Sequence, residues 1–125
     1  MFSHIFVGTN DIAAAKSFYD AVFGAYGLNE GFAVKDGNAF AYSDGTANFI
    51  VGKPANGEPA TAANGGTVGL KAASPEVIDA AYAAGIANGG SCDGEPGPRP
   101  AFPGSYGAYL RDPDNNKICL WYMPA

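Results

Sequence analysis

A single histidine and two cysteines hold most of the reactive side-chain chemistry available to this 125-residue sequence. His4 can ligate a metal, act as a general base, or line a pocket through its ring nitrogens. Cys119 can act as a nucleophile or a soft ligand; its alternative role is that of a small, buried, inert filler. Two carboxylates, Asp112 and Asp114, invite an acid–base reading, but they flank Pro113 in a run of turn-forming residues. No glycine-rich loop opens a helix in a dinucleotide or P-loop pattern, and there is no Gly-x-Ser-x-Gly elbow and no Cys-x-x-Cys.

These residues must be positioned by short, well-marked elements. Residues 2–7 alternate and are rich in aromatic and β-branched types, so they read as a strand with His4, Phe2 and Phe6 on one face. Asn10 or Asp11 can cap a following helix, whose stripe of Ile12, Ala15, Phe18, Tyr19 and Val22 ends near Gly24 to Gly27. Three short strands follow at 31–35, 39–42 and 48–51, separated by Asp36-Gly37-Asn38 and Asp44-Gly45-Thr46 turns. Residues 53–66 lack apolar periodicity and read as an exposed linker.

The second half repeats the first. A strand at 67–73 precedes a helix opened by Ser74-Pro75-Glu76, with a stripe of Ile78, Ala81, Tyr82 and Gly85 or Ile86. A shift of 63 residues lays Asp11 on Ser74, Tyr19 on Tyr82, Gly27 on Gly90 and His4 on Thr67. The four prolines within 91–104 exclude that segment from a central strand and make it an irregular edge or lip carrying Arg99 and Phe102. Residues 105–110 and 117–123 form a hairpin through Asp112-Pro113-Asp114-Asn115. Lys117, Cys119, Trp121 and Met123 then share one face, and Ile118, Leu120 and Tyr122 the other.

The composition is that of one globular domain, 47% hydrophobic and only 15% charged. Seven basic against twelve acidic residues give a net charge of −5, which repels nucleic acid and anionic membrane surfaces. No apolar run is long enough to span a membrane and no leader-like segment opens the chain, so the expected location is cytoplasmic, with reduced thiols.

Two βαβββ halves in this length resemble the vicinal oxygen chelate superfamily of glyoxalase I, bleomycin-resistance proteins and extradiol dioxygenases. The resemblance rests on the opening S-H-I-F-V-G-T-N-D-I, the S-F-Y-D-A-V-F-G that follows, V-G-K-P at the end of the first half, and R-D-P-D-N-N-K-I. It implies an α+β fold of two βαβββ modules in tandem, about 1–54 and 67–125, joined by a linker within a single domain. It further implies two half-barrel sheets, each cupping a pocket, and a homodimer. In metal-dependent members each half donates a ligand from its first and its last strand; the matching positions are His4, Phe49 or Ile50, Thr67 and Cys119. A catalytic zinc needs three ligands of imidazole, thiolate or carboxylate type, and nickel, manganese or iron sites need more nitrogen or oxygen donors than this set holds.

The same resemblance makes His4 and Cys119 the candidate catalytic residues, the first as base to the second. It places Phe40, Tyr42, Phe102, Tyr106, Tyr109 and Trp121 around the cup, where they could stack on a planar ligand while Arg99 or Arg111 clasps an anion. The competing reading of those aromatics is sheet–helix core. The expected function is binding of a small organic molecule in a cup between paired half-barrels, without a metal cofactor. The alternatives are a metal-dependent lyase or dioxygenase using Zn, Ni, Mn or Fe, a metal-free isomerase with His4 as base, and a scaffold with no small-molecule role.

Overall fold

A computed structural model describes all 125 residues. The chain runs β1 (His4–Gly8), α1 (Ile12–Ala25), β2 (Phe32–Val34), β3 (Ala39–Ser43), β4 (Asn48–Gly52), β5 (Val68–Lys71), α2 (Pro75–Ala87), β6 (Ser91–Gly97), β7 (Tyr106–Arg111) and β8 (Lys117–Tyr122). A short 3-10 turn, Lys35–Gly37, separates β2 from β3. Both helices start where a side chain satisfies an otherwise orphaned amide: Asp11 accepts from the Ala14 N–H, and Ser74 from that of Val77, with Pro75 in the first turn.

The duplication read from the sequence is reproduced strand for strand. One sheet has the order β1-β4-β3-β2 and the other β5-β8-β7-β6. The outer pair is parallel in each, β1 with β4 and β5 with β8, and the remaining pairs are antiparallel. The proline-rich segment supplies β6, an edge strand whose register to β7 shifts twice, between Cys92 and Gly94 and again before Gly97. An irregular edge is where missing backbone donors cost least.

The two helices pack on each other and share one core with the inner faces of both sheets. Sixteen buried residues form it, among them Phe18, Tyr19 and Val22 of α1, Phe49 and Val51 of β4, Ile78 and Ala81 of α2, and Leu110, Ile118 and Leu120 of β7 and β8. At the crossing, the Phe18 ring lies over two glycines: a Cβ on Gly85 would sit 3.1 Å from Phe18 Cε1, and one on Gly90 only 2.4 Å from it. The second stripe therefore continues through Gly85, while Ile86 is left 40% exposed.

The β7–β8 turn staples the halves together. Asp112, nearly fully buried, accepts from the Asp114 and Asn116 amides, and its other oxygen accepts from the Tyr19 hydroxyl at 2.6 Å and from Asn116 Nδ2 at 2.8 Å. Asn116 Nδ2 also reaches the Gly8 carbonyl, and the Asn10 amide donates to Asp114. Asn115 takes the left-handed conformation (φ 70°) that closes the turn. The carboxylates suspected of acid–base work are thus turn formers that double as an inter-module clamp. No helix is long and apolar enough to cross a membrane.

Candidate functional site

Each sheet turns one face to the helices and the other away from them, and strand alternation decides which residues lie where. In the first sheet Ile5, Val7, Phe40, Tyr42, Phe49 and Val51 point inward; His4, Phe6, Phe32, Ala41 and Ile50 point outward. In the second, Leu110, Ile118 and Leu120 point inward, whereas Tyr109, Arg111, Lys117, Cys119 and Trp121 point outward together with Gly69 and Lys71 of β5.

Three expected cup residues are corrected by this parity. Phe40 and Tyr42 are 2% exposed and pack against α1. The Tyr42 hydroxyl donates to Asp20 at 2.6 Å. Tyr106 pairs with Tyr122 on the inner face and donates to Asp79 of α2 at 2.6 Å. Their positions in β3 and β7 are one residue out of phase with the outward set, so they belong to the sheet–helix core. The register also resolves the choice at the end of the first module: Phe49 points inward, and Ile50 occupies the outward position matching Cys119.

His4 is exposed, with Ser3 Oγ 2.7 Å from its Nδ1, on the outer face of the first sheet. Beside it Phe6 is 40% exposed under the Lys35 ammonium, 4.9 Å from the ring centre. Cys119 lies on the outer face of the other sheet, so a single chain does not bring imidazole and thiol together. Cys119 is 6% exposed between Tyr109 and Gly69. Burial raises its pKa above the ordinary thiol range, although the neighbouring Tyr109 hydroxyl, Arg99 and Lys117 pull the other way. Tyr109 is itself raised by burial and by that thiol.

Around Cys119 the outer face is aromatic and cationic. The Trp121 indole covers Gly107, where a Cβ would be 2.9 Å from the ring, and meets Phe102 edge-to-face at 5.5 Å. The Arg99 guanidinium and the Lys117 ammonium lie 5.4 and 5.0 Å from the centre of the Tyr109 ring. Arg111 and Lys117 share Asp93, at 3.0 and 3.7 Å. Arg99 is held instead by the carbonyls of Glu95, Gly97 and Pro98. Lys117 already shares Cys119's face in the sequence pattern, but Lys71 and Asp93 were not singled out there; Lys71 alternates in phase with Gly69, which the β5–β8 register sets opposite Cys119.

The donors at the four positions that the superfamily uses for a metal are one imidazole, one buried thiol, the exposed Thr67 hydroxyl just ahead of β5, and the Ile50 hydrocarbon. Within the chain no three histidines, cysteines or carboxylates cluster closely enough to hold an ion. This set does not fit a catalytic divalent metal, because only two members are competent ligands and the hydroxyl must stay protonated.

A cavity of about 420 Å³ lies elsewhere, between Phe2 and Ile5 of the first module, the end of α1 at Phe23, Tyr26 and Leu28, and β5. Its lining takes in the inward-facing Ile5, Phe49 and Leu70 and also Gly69 and Lys71 of β5, but neither His4 nor Cys119.

The chain's relatives share this architecture. A glyoxalase/bleomycin resistance protein from Albidiferax ferrireducens T118 is 49% identical, with 99% of each chain covered and a TM-score of 0.92. At the level of fold alone, a glyoxalase-related enzyme from Fulvimarina pelagi is 17% identical over 99% of this chain and 88% of its own, with a TM-score of 0.77. Lactoylglutathione lyase from Agrobacterium tumefaciens is 24% identical over 98% and 92%, with a TM-score of 0.68. No curated protein matches the sequence. The profile of the Glyoxalase/Bleomycin resistance protein/Dioxygenase superfamily matches residues 1–120. With two βαβββ modules in register and that match over nearly its whole length, the chain belongs to the glyoxalase/bleomycin resistance protein/dioxygenase superfamily.

Proposed function

We propose that this protein binds a small organic molecule, without a resident divalent ion, in a cup formed when the outer face of one module meets that of a second module in a homodimer. The observation that carries the reading is the eroded ligand set on those faces: Ile50 supplies only hydrocarbon and Thr67 only a hydroxyl, which leaves His4 and Cys119 as the competent donors where a catalytic zinc needs three. What remains around Cys119 is suited to contact rather than coordination, namely Trp121, Phe102 and Tyr109 with arginine and lysine beside them.

A second reading, a metal-free isomerase with His4 as base, is favoured by one feature. Ser3 engages Nδ1 and leaves Nε2 free on the outer face. A protein that only sequesters its ligand releases it unchanged, whereas an isomerase returns a rearranged product, so product analysis separates the two.

Metal analysis of purified protein tests the main reading. The expected result is no stoichiometric divalent ion; an ion present at one per chain and lost in His4→Ala overturns it. Thermal-shift screening against flat aromatic compounds is expected to give stabilising hits, and a broad panel without one leaves the scaffold role as the better account.

A further inference from the structure

The chain carries −5 overall, yet four of its seven basic residues lie on one small surface. Lys16, Lys35 and Lys53 are elsewhere; Lys71, Arg99, Arg111 and Lys117 all belong to the outer face of the second sheet or the lip beside it. Two of them, Arg99 and Lys117, lie over one ring, that of Tyr109.

Arg99 is the informative member. Its Nη1 hydrogens go to the Gly97 and Pro98 carbonyls at 3.1 and 3.4 Å, and one Nη2 hydrogen goes to Glu95 O at 2.8 Å. Nε–H and the second Nη2 hydrogen have no protein acceptor, and no carboxylate lies within ion-pair distance. The side chain is therefore held in place by neutral carbonyls while its charge stays uncompensated, half-buried and beside the Tyr109 ring. A guanidinium with two free donors matches both oxygens of a carboxylate. Lys71, on the Trp121 side of the same face, also lacks a carboxylate partner.

The same face and its lip also carry apolar surface. Trp121 and Phe102 form an edge-to-face pair, and Gly69, where a Cβ would meet nothing within 4 Å, leaves open space beside Cys119. The outer face of the first sheet, which would close the cup, offers Phe6, Phe32 and Ile50. From this juxtaposition of an unneutralised Arg99 with an aromatic floor, we infer that the ligand is a planar aromatic carboxylate. Its ring lies against Trp121 and Phe102, its carboxylate on Arg99, and Lys71 strengthens the field. The inference rests on the cup proposed above and specifies the chemistry of its occupant.

Three probes of one shape and different charge test it: 2-naphthoate, 2-naphthylmethanol and 2-naphthylmethylamine, titrated calorimetrically. The indole N–H resonance of Trp121, the one tryptophan, reports the site. The expected order is naphthoate bound at least about tenfold more tightly than the alcohol, with the amine weakest, because only the carboxylate can form a charge-assisted bidentate pair with the guanidinium. Arg99→Met, which keeps the apolar stem, should remove that preference while the thermal midpoint of the free protein is retained; Arg99→Lys should restore part of it. Equal binding of all three, preference for the amine, or an unchanged naphthoate affinity in Arg99→Met overturns the carboxylate assignment and leaves the cup standing. Absence of saturable binding by any of the three at millimolar concentration overturns both.

Discussion

A thiol held in the middle of a covered strand keeps its proton beyond the pH at which an exposed thiol has lost it. Cys119 is in that position, and Cys92 on the edge strand β6 is exposed, so the two should separate cleanly toward a disulfide reagent. One equivalent is expected to react rapidly in the native protein and the second at least about tenfold more slowly, becoming fast only on unfolding. The slow phase should continue to accelerate with pH beyond the ordinary thiol range, because burial has moved the Cys119 pKa upward. Equal rates for both thiols would contradict the placement of Cys119. At this scale the sequence told which residues shared a strand face, but not which face met the helices. Phe40, Tyr42 and Tyr106 were therefore placed around the cup by the resemblance, although alternation along β7 already puts Tyr106 and Tyr109 on opposite faces.

Elements are joined here by contacts between residues far apart in the chain, and these were the least legible. Asp20 of α1 accepts from the Gly31 amide at 2.8 Å, the Tyr42 hydroxyl at 2.6 Å and the Lys16 ammonium at 2.7 Å. Burial alone would raise its pKa, but these partners outweigh it and the net shift is downward. A lowered carboxylate pKa stabilises the fold above the ordinary carboxylate range, and that contribution is lost as pH falls through the native-state value. Asp20→Asn should therefore unfold with about 1–2 kcal/mol less stability at pH 7, and the deficit should shrink below about pH 4. A deficit constant with pH would place the loss in packing instead.

The helix crossing gives a steric counterpart. Ala at Gly90 would put its Cβ 2.4 Å from Phe18 Cε1 and 2.8 Å from the Gly85 carbonyl oxygen, while at Gly85 its nearest neighbours are side-chain ends, from 2.9 Å. Gly90→Ala is expected to destabilise by about 1–3 kcal/mol. Gly85→Ala should cost less, because the gain in helix propensity, about 1 kcal/mol, offsets part of the strain. Denaturant midpoints rank the two, and the reverse order would refute this account of the crossing. The apolar stripes located both helices from sequence, but the choice between Gly85 and Ile86 was open because it depends on the ring that α1 inserts.

At the scale of the whole molecule, the internal repeat was the strongest signal, since strand, cap, stripe and terminal glycine recur in one order at one spacing. What the repeat could not express is how the two copies face one another. Tyr19 to Asp112, Asn116 to Gly8 and the shared core fix the helices between the modules, so the two outer faces do not close on each other within the chain. Phe6 and Phe32 are left 40% and 52% exposed on one such face, and Phe102 55% exposed beside the other. A second copy can supply the missing wall to each, giving two cups per dimer and a particle of about twice the 12.7 kDa chain mass by light scattering. Crossing two lesions tests this geometry. Phe6→Asp damages only first-module faces and Arg99→Met only second-module faces, so each homodimer should bind 2-naphthoate at least about tenfold more weakly than the parent protein. In a heterodimer of the two variants, cups built across chains would comprise one wall pair carrying both lesions and one carrying neither. Native-like affinity at one site per dimer is then expected. If each cup were built within a single chain, every cup would carry one lesion and the mixture would bind no better than its parents.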